Sequence, residues 1–326
     1  MDTKEKALGA VRKDFTGATN KLFKEADRMD AKAVKKLEKM FKNEAKLLDE
    51  KIGAFYAKYG EKNVVEYRKL FIKLNEEERK KVLMNSKEFA NLYPQHAELA
   101  NIQDEIYKLN RYEALQHDLL LQQLRINDRE SEYIRDHLKM LTNEATRAML
   151  ELTGSGSTFN VYNPNVIDII VEDKWIDHFS LTDRIKVNKQ KVAKYLENEF
   201  KMGVARGDTY NELSKRMQAK LIAISTYHAN RIIRTEGTRV MNEGMARQIE
   251  REGGYTEYVY RAILDEKTTQ VCRGLDGQVF KLEERQAGVN FPPLHSSCRS
   301  SFELVIPKDM TEKIIEEYKR QIKKSE

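Results

Sequence analysis

The amino-acid sequence predicts a mostly α-helical α+β protein, with long helices leading into a mixed domain that closes on a small antiparallel sheet. Three observations support this. Gly and Pro are scarce, 15 and 5 in 326 residues, so long stretches can stay helical without interruption. Apolar residues recur at helical spacing between about residues 20 and 150. From Tyr258 onward the apolar period falls to two, as it does in strands.

Composition limits the function classes. Hydrophobic residues make up 40% and charged residues 34%, with mean hydropathy -0.70. That is polar for a globule, yet the chain is long enough for a real core and for about two domains. The 58 Lys and Arg against 52 Asp and Glu leave a net charge of +6, which permits phosphate contacts without requiring them. The segment Met1 to Lys13 is charged and has no apolar core, so no secretory leader is expected. No apolar run approaches the length that spans a bilayer. The two cysteines, Cys272 and Cys298, are therefore expected in a reducing cytoplasm, where a metal or free thiols come before a disulfide.

In chain order, residues 1–152 read as a helical, partly coiled-coil-like region. Leu37, Phe41, Ala45 and Leu48 share one helix face. Leu99, Ile102, Ile106 and Leu109 repeat at 3-4-3 spacing, as in a coiled-coil or hairpin seam. Asn75, ahead of three glutamates, reads as an N-cap, and Pro94 as a local break. Residues 153–166, rich in Gly and Ser, read as a linker. Ile167 to Val171 reads as a short strand, and Trp175 as a buried anchor. Ser180 opens a helix through Val192, Leu196 and Phe200 that stops near Gly207. Asp208-Thr209 caps a shorter helix with Leu213, Met217 and Leu221. Ser225 caps a third, carrying Ile232, Ile233, Val240 and Ile249, which ends at Gly253-Gly254. Strands follow at Tyr258 to Leu264, Gln278 to Phe280 and Phe302 to Ile306, and a charged helix closes the chain over 309–326.

Within the mixed domain, 167–308, two stretches are distinctive. One is Ala229-Asn-Arg-Ile-Ile-Arg-Thr-Glu-Gly-Thr-Arg-Val-Met-Asn-Glu-Gly244. The other runs from Leu264-Asp-Glu-Lys-Thr-Thr-Gln-Val-Cys272 to Pro292-Pro-Leu-His-Ser-Ser-Cys-Arg299. Together they resemble the Mu F-like minor head proteins of the phage head-morphogenesis family. Members carry an Arg-Thr-Glu helix, a Leu-Asp-x-x-Thr…Cys strand-loop and a Pro-Pro-Leu-His-x-x-Cys-Arg segment in this order. The resemblance covers roughly residues 175 to 305. It implies a structural, non-enzymatic protein of the tailed-phage or prophage virion, inside the head and in the host cytoplasm during assembly. It also implies association with the portal protein and with major capsid or scaffolding protein, and contact with double-stranded DNA during packaging or ejection.

Two groups of residues are candidates for chemistry. His295-x-x-Cys298 puts an imidazole and a thiolate in one tight turn, and Cys272 adds a third soft zinc ligand. A structural zinc site normally has four. Many family members have Cys-x-x-Cys where this chain has Thr269-Gln-Val-Cys272, which leaves Asp265 or Asp276 to stand in. The expectation is a metal-free turn with no cofactor, and zinc is the alternative. A Cys272–His295 nucleophilic dyad lacks any nucleophile elbow or oxyanion loop in the sequence.

The second group is Arg234, Thr235, Glu236 and Arg239, with Glu236 and Arg239 on one helix face. With Asp265 and His295 they are expected to form a structural polar cluster that ties the helix to the His295 loop. No catalytic residue is expected. The competing reading is a nucleic-acid-binding protein, or a nuclease or toxin-type effector built on Arg234, Glu236 and His295. Little more than one helix follows the last strand, so no appended catalytic domain is expected. His96, His117, His137, His178 and His228 lack ligand spacing and are expected on surfaces or helix faces. No phosphate-binding glycine motif occurs. Lys313, Lys319, Arg320, Lys323 and Lys324 make the last helix basic, as a solvated surface would be.

Overall fold

Helical periodicity organises most of the computed structural model, which describes residues 3–153, 164–175, 179–307, 310–312 and 315–316. The first helix, α1 (Thr3–Tyr59), contains no proline and runs unbroken for 57 residues. Leu37, Phe41, Ala45 and Leu48 are all buried, as their spacing predicts. α2 (Glu76–Leu92) opens on a capping box: the Asn75 side chain accepts from the Glu78 amide at 2.9 Å, and the Glu78 carboxylate accepts from the Asn75 amide at 3.0 Å. The helix stops before Pro94.

The predicted seam of Leu99, Ile102, Ile106 and Leu109 does not form. Only α3 (Ala97–Ala100) is helical there, and residues 101–109 are turn and irregular backbone. Asn101 leaves the helix in an extended conformation, and its side chain accepts from the Gln103 amide, a local bond that competes with the helix ladder. Ile102 and Ile106 are buried all the same, packed on Leu74 beside Val82, Leu83 and Leu109, while Leu99 is exposed. α4 (Arg111–Thr153) starts at a second capping box, between Asn110 and Glu113.

The strand expected at Ile167–Val171 is instead part of a helix, α5 (Pro164–Glu172). Ile167, Ile170 and Val171 are buried and Ile169 is exposed, which is the spacing of a helix face. Burial of that face overrides the β-propensity of the Ile and Val side chains. α6 (Leu181–Arg206) starts immediately after Ser180 and ends before Gly207, whose φ of +80° suits a helix stop.

α7 (Tyr210–Glu252) is one helix of 43 residues where two were expected. It opens on reciprocal bonds between Thr209 and Glu212. Ser225 lies fully buried in its interior rather than capping a new helix, because no Gly or Pro around it breaks the ladder. Gly253 and Gly254, at φ +74° and +87°, end it.

The three predicted strands appear as β1 (Glu257–Arg261), β2 (Val279–Lys281) and β3 (Ser301–Leu304), all shorter than or shifted from the apolar runs that suggested them. A short helix, α8 (Gln270–Leu275), lies between β1 and β2. Both neighbours pair antiparallel to the central β1, with Tyr258 opposite Phe280 and Leu304, and Tyr260 opposite Phe302. Most of the Gly/Ser linker, His178 and all but a few residues of the predicted C-terminal helix lie outside the described residues. Among those described, none forms a helix long and apolar enough to cross a membrane.

The chain forms two compact units, each discontinuous in sequence: residues 1–33, 134–181 and 230–326, and residues 34–133 and 182–229. In the first unit the sheet packs an aromatic cluster, with Tyr258 edge-on to Phe291 and Phe302 and Phe15 beside Phe302. Two histidines expected on surfaces or helix faces are buried. In the first unit His137 Nε2 lies 2.7 Å from Asp30; in the second, His117 Nε2 lies 2.8 Å from the Ser86 hydroxyl.

The second unit packs Phe55 edge-on to Phe200 and also buries an ion pair. Lys189 Nζ lies 2.5 Å from Glu130 and 4.7 Å from the Phe41 ring centroid, with both charged groups nearly inaccessible. Burial raises the Glu130 carboxyl above its ordinary value, against the pull of Lys189. Lys189→Ala would strand that carboxyl, so a loss of about 3–5 kcal/mol is expected in denaturant unfolding. The double variant Glu130→Gln, Lys189→Met should recover most of it. An unchanged midpoint in the single variant would show that the pair carries no buried charge.

Candidate functional site

From Ile232 to Ile249, α7 is buried on nearly every side in the first unit, so its polar side chains must find partners inside the protein. Three of them do so on one face. Thr235 Oγ1 accepts from the Ser297 amide at 2.8 Å, and Thr238 Oγ1 donates to the Cys298 carbonyl at 2.8 Å. Asn242 Nδ2 donates to the Ser300 carbonyl at 3.2 Å. Their i, i+3, i+7 spacing brings them into line along the helix. They hold the loop that carries His295 and Cys298, in which Ser297 takes the uncommon φ of +59°.

The loop and α8 bring the predicted soft ligands together. Thr269 caps α8, its hydroxyl accepting from the Cys272 amide at 3.4 Å. Cys272 Sγ then lies 3.2 Å from His295 Nε2 and 3.7 Å from Cys298 Sγ, and the Tyr260 hydroxyl donates to Cys272 Sγ at 3.4 Å. Both cysteines are free thiols and buried, and His295 is half-buried. Burial pushes the Cys272 thiol up. Hydrogen bonds with Thr269, Tyr260, Ser300 and Cys298 outweigh that and bring it down to about 7. The two aspartates named as stand-in ligands are otherwise engaged: Asp265 pairs with Arg299 at 2.6 Å, and Asp276 accepts from the Ala262 amide at 2.9 Å. The hydrogen bond from Arg299 holds the Asp265 carboxyl far below its usual range.

The remaining candidates are distributed around the helix. Glu236 and Arg239 are buried and joined at 2.7 Å. Trp175 Nε1 donates to the other Glu236 oxygen at 3.1 Å, and Arg239 donates to the Val171 carbonyl at 3.0 Å. Arg234, only two residues before Glu236 and so roughly 200° around the helix, is exposed and lines a small cleft with Asp27 and Asp30. The Asp30 carboxyl is raised by burial, although His137 and Arg234 both act to lower it. Arg234, Glu236 and His295 therefore face three different surroundings.

Sequence reasoning missed Thr238 and Asn242, and it also missed Arg285. The Arg285 guanidinium bonds Glu243 at 3.0 and 3.1 Å and Glu250 at 2.9 Å, beside a polar cleft of about 790 Å³ that Arg247 and Trp175 also line. Glu243, Arg247 and Glu250 form a charged stripe at i, i+4, i+7 between the apolar positions Val240, Met241, Met245, Ala246 and Ile249, a signal that was available. Their partner, 35 residues beyond Glu250, was not.

Burial raises the Glu243 carboxyl, but Arg285 and Arg247 more than offset this and hold it below its ordinary value. Its stabilisation is thus complete above the unfolded glutamate value of about 4.3 and is lost as pH falls through the lower folded value. Arg285→Ala should cost about 3–5 kcal/mol at neutral pH and flatten the acid limb of the urea midpoint plotted against pH. An acid limb as steep as that of the unaltered protein would rule out this pair as its source.

Residues 194–303 match the family model described as Phage Mu protein F like protein. No curated protein and no solved structure matches the chain. The matched segment takes in the end of α6, all of α7, the sheet but for its final residue, and the Cys272, His295 and Cys298 group. Across residues 194–303 the chain is thus similar to the Mu F-like proteins of phages, in the region where its sequence motifs lie.

Proposed function

We propose that this protein is a structural minor head protein of a tailed phage or prophage, acting with the portal protein in head assembly. The match of residues 194–303 to the Mu F-like family carries the reading. The fate of the charged candidates supports it: Glu236 and Arg239 are consumed by internal bonds to each other, Trp175 and the Val171 carbonyl. A catalytic acid or base needs a free position beside a substrate, and Glu236 is buried behind Trp175 and Arg239. In this reading the protein turns over no substrate. It resides inside the head after assembly in the host cytoplasm, meets capsid or scaffolding protein there, and contacts DNA during packaging or ejection.

Co-expression with the portal protein of the same phage, followed by affinity purification and analysis of assembled heads, tests this directly. Stable association with the portal and incorporation into heads are expected; failure of both would remove the assembly reading. Glu236→Ala is expected to strand Arg239 and cost about 3–5 kcal/mol, with a change in the fluorescence of Trp175, the only tryptophan. A Glu236→Ala protein of unaltered stability that lost a nucleolytic activity would instead favour the effector reading.

A further inference from the structure

Cys272, His295 and Cys298 reach one point from two separate pieces of chain, α8 and the loop before β3, and nothing in the assembly role calls for them to meet. We propose that these three residues bind one zinc ion, in a site whose fourth coordination position is open to water or to a donor from another molecule.

In a tetrahedral site with Zn–S of about 2.3 Å and Zn–N of about 2.0–2.1 Å, two thiolates stand about 3.8 Å apart and a thiolate and an imidazole nitrogen about 3.5 Å apart. The two sulfurs here are 3.7 Å apart, and Cys272 Sγ is 3.2 Å from His295 Nε2. All three ligand atoms lie within 4.8 Å of one another. The two distances to Cys272 Sγ lie within a few tenths of an ångström of these values, and metal entry draws His295 Nε2 and Cys298 Sγ, at most 4.8 Å apart, to about 3.5 Å.

The tautomer of His295 also suits a metal ligand. Its Nδ1 lies 2.9 Å from the Ser296 carbonyl, which can only accept, so Nδ1 carries the proton. The lone pair is left on Nε2, the atom that faces the sulfur. A carbonyl behind the far ring nitrogen is the usual orienting contact of a metal-bound histidine.

Tyr260 donates a neutral hydrogen bond to Cys272 Sγ, and Thr238 and Thr269 fix the backbone of the two cysteines. Two thiolates and one imidazole favour zinc over magnesium or calcium, which take oxygen ligands. Binding expels the two thiol protons, and the resulting charge of two thiolates and one divalent ion is zero, which a largely buried site tolerates. Among the described residues no fourth protein ligand joins the group: Asp265 and Asp276 are bonded elsewhere. His295 is the one ligand with solvent exposure, so water reaches the metal beside the imidazole.

The full chain, purified under reductant and stripped with a chelator, would be titrated with Zn²⁺ and separately with Co²⁺. One metal per chain is expected, with a thiolate-to-cobalt charge-transfer band and the strong visible bands of four-coordinate cobalt. Added imidazole should shift those bands in the unaltered protein, because it can take the open position. Cys298→Ser and His295→Gln are expected to abolish stoichiometric retention. His295 is half-buried, so its variant keeps the fold, as circular dichroism would verify, even where the cysteine variant does not. Three outcomes would overturn the proposal: a folded, reduced chain that takes up neither metal, uptake undiminished in His295→Gln, or a Cys272–Cys298 disulfide that forms in preference to metal binding. Cobalt bands indifferent to imidazole would overturn the open position. None of these outcomes bears on portal association, so the two readings fail separately.

Discussion

The line of hydrogen bonds from Thr235, Thr238 and Asn242 to residues 297–300 is the constraint on which the rest of the first unit depends. A loop pressed against a buried helix loses its water, and each amide and carbonyl it buries must be given a new partner. Here α7 supplies those partners from its own side chains, so the loop is held in one position and Ser297 in an uncommon backbone conformation. Because the helix holds that loop, Cys298 and His295 face Cys272 at close range. Thr269 completes the arrangement by holding the first turn of α8.

The same helix carries the charges that are hardest to bury. Glu236 with Arg239, and Glu243 with Arg285, take carboxylates out of water, and a guanidinium donates to each. Such pairs add less to stability than apolar groups of the same volume, but removing either partner is costly. They also specify a single arrangement, since a helix displaced by one turn would leave several charges alone. That agrees with the structural role proposed above.

Elements whose signal is local were legible in the sequence. The apolar face of α1, the Asn75 capping box, the glycine stops after α6 and α7, and the three strands all follow from neighbouring residues. The seam at Leu99–Leu109, the strand at Ile167–Val171 and the break at Ser225 were misread where long-range packing or one side-chain bond outweighed periodicity or residue type. Cys272, His295 and Cys298 were recognisable by type and spacing, as was the bond between Glu236 and Arg239 three residues apart. Arg234 shared their helix, yet faces another way because two residues turn an α-helix by about 200°.

The sequence by itself determined the mostly helical α+β class, the antiparallel sheet near the end of the chain and the Mu F-like motifs, because each is written in residues close together along the chain. Only the tertiary structure decided that Thr238 and Asn242 bind the cysteine loop, that Arg285 answers Glu243 and Glu250, and that Asp265 turns to Arg299 instead of the sulfurs. Those choices depend on which buried donor lies nearest to which acceptor once the chain has closed on itself. Side-chain spacing along the sequence carries no record of that distance.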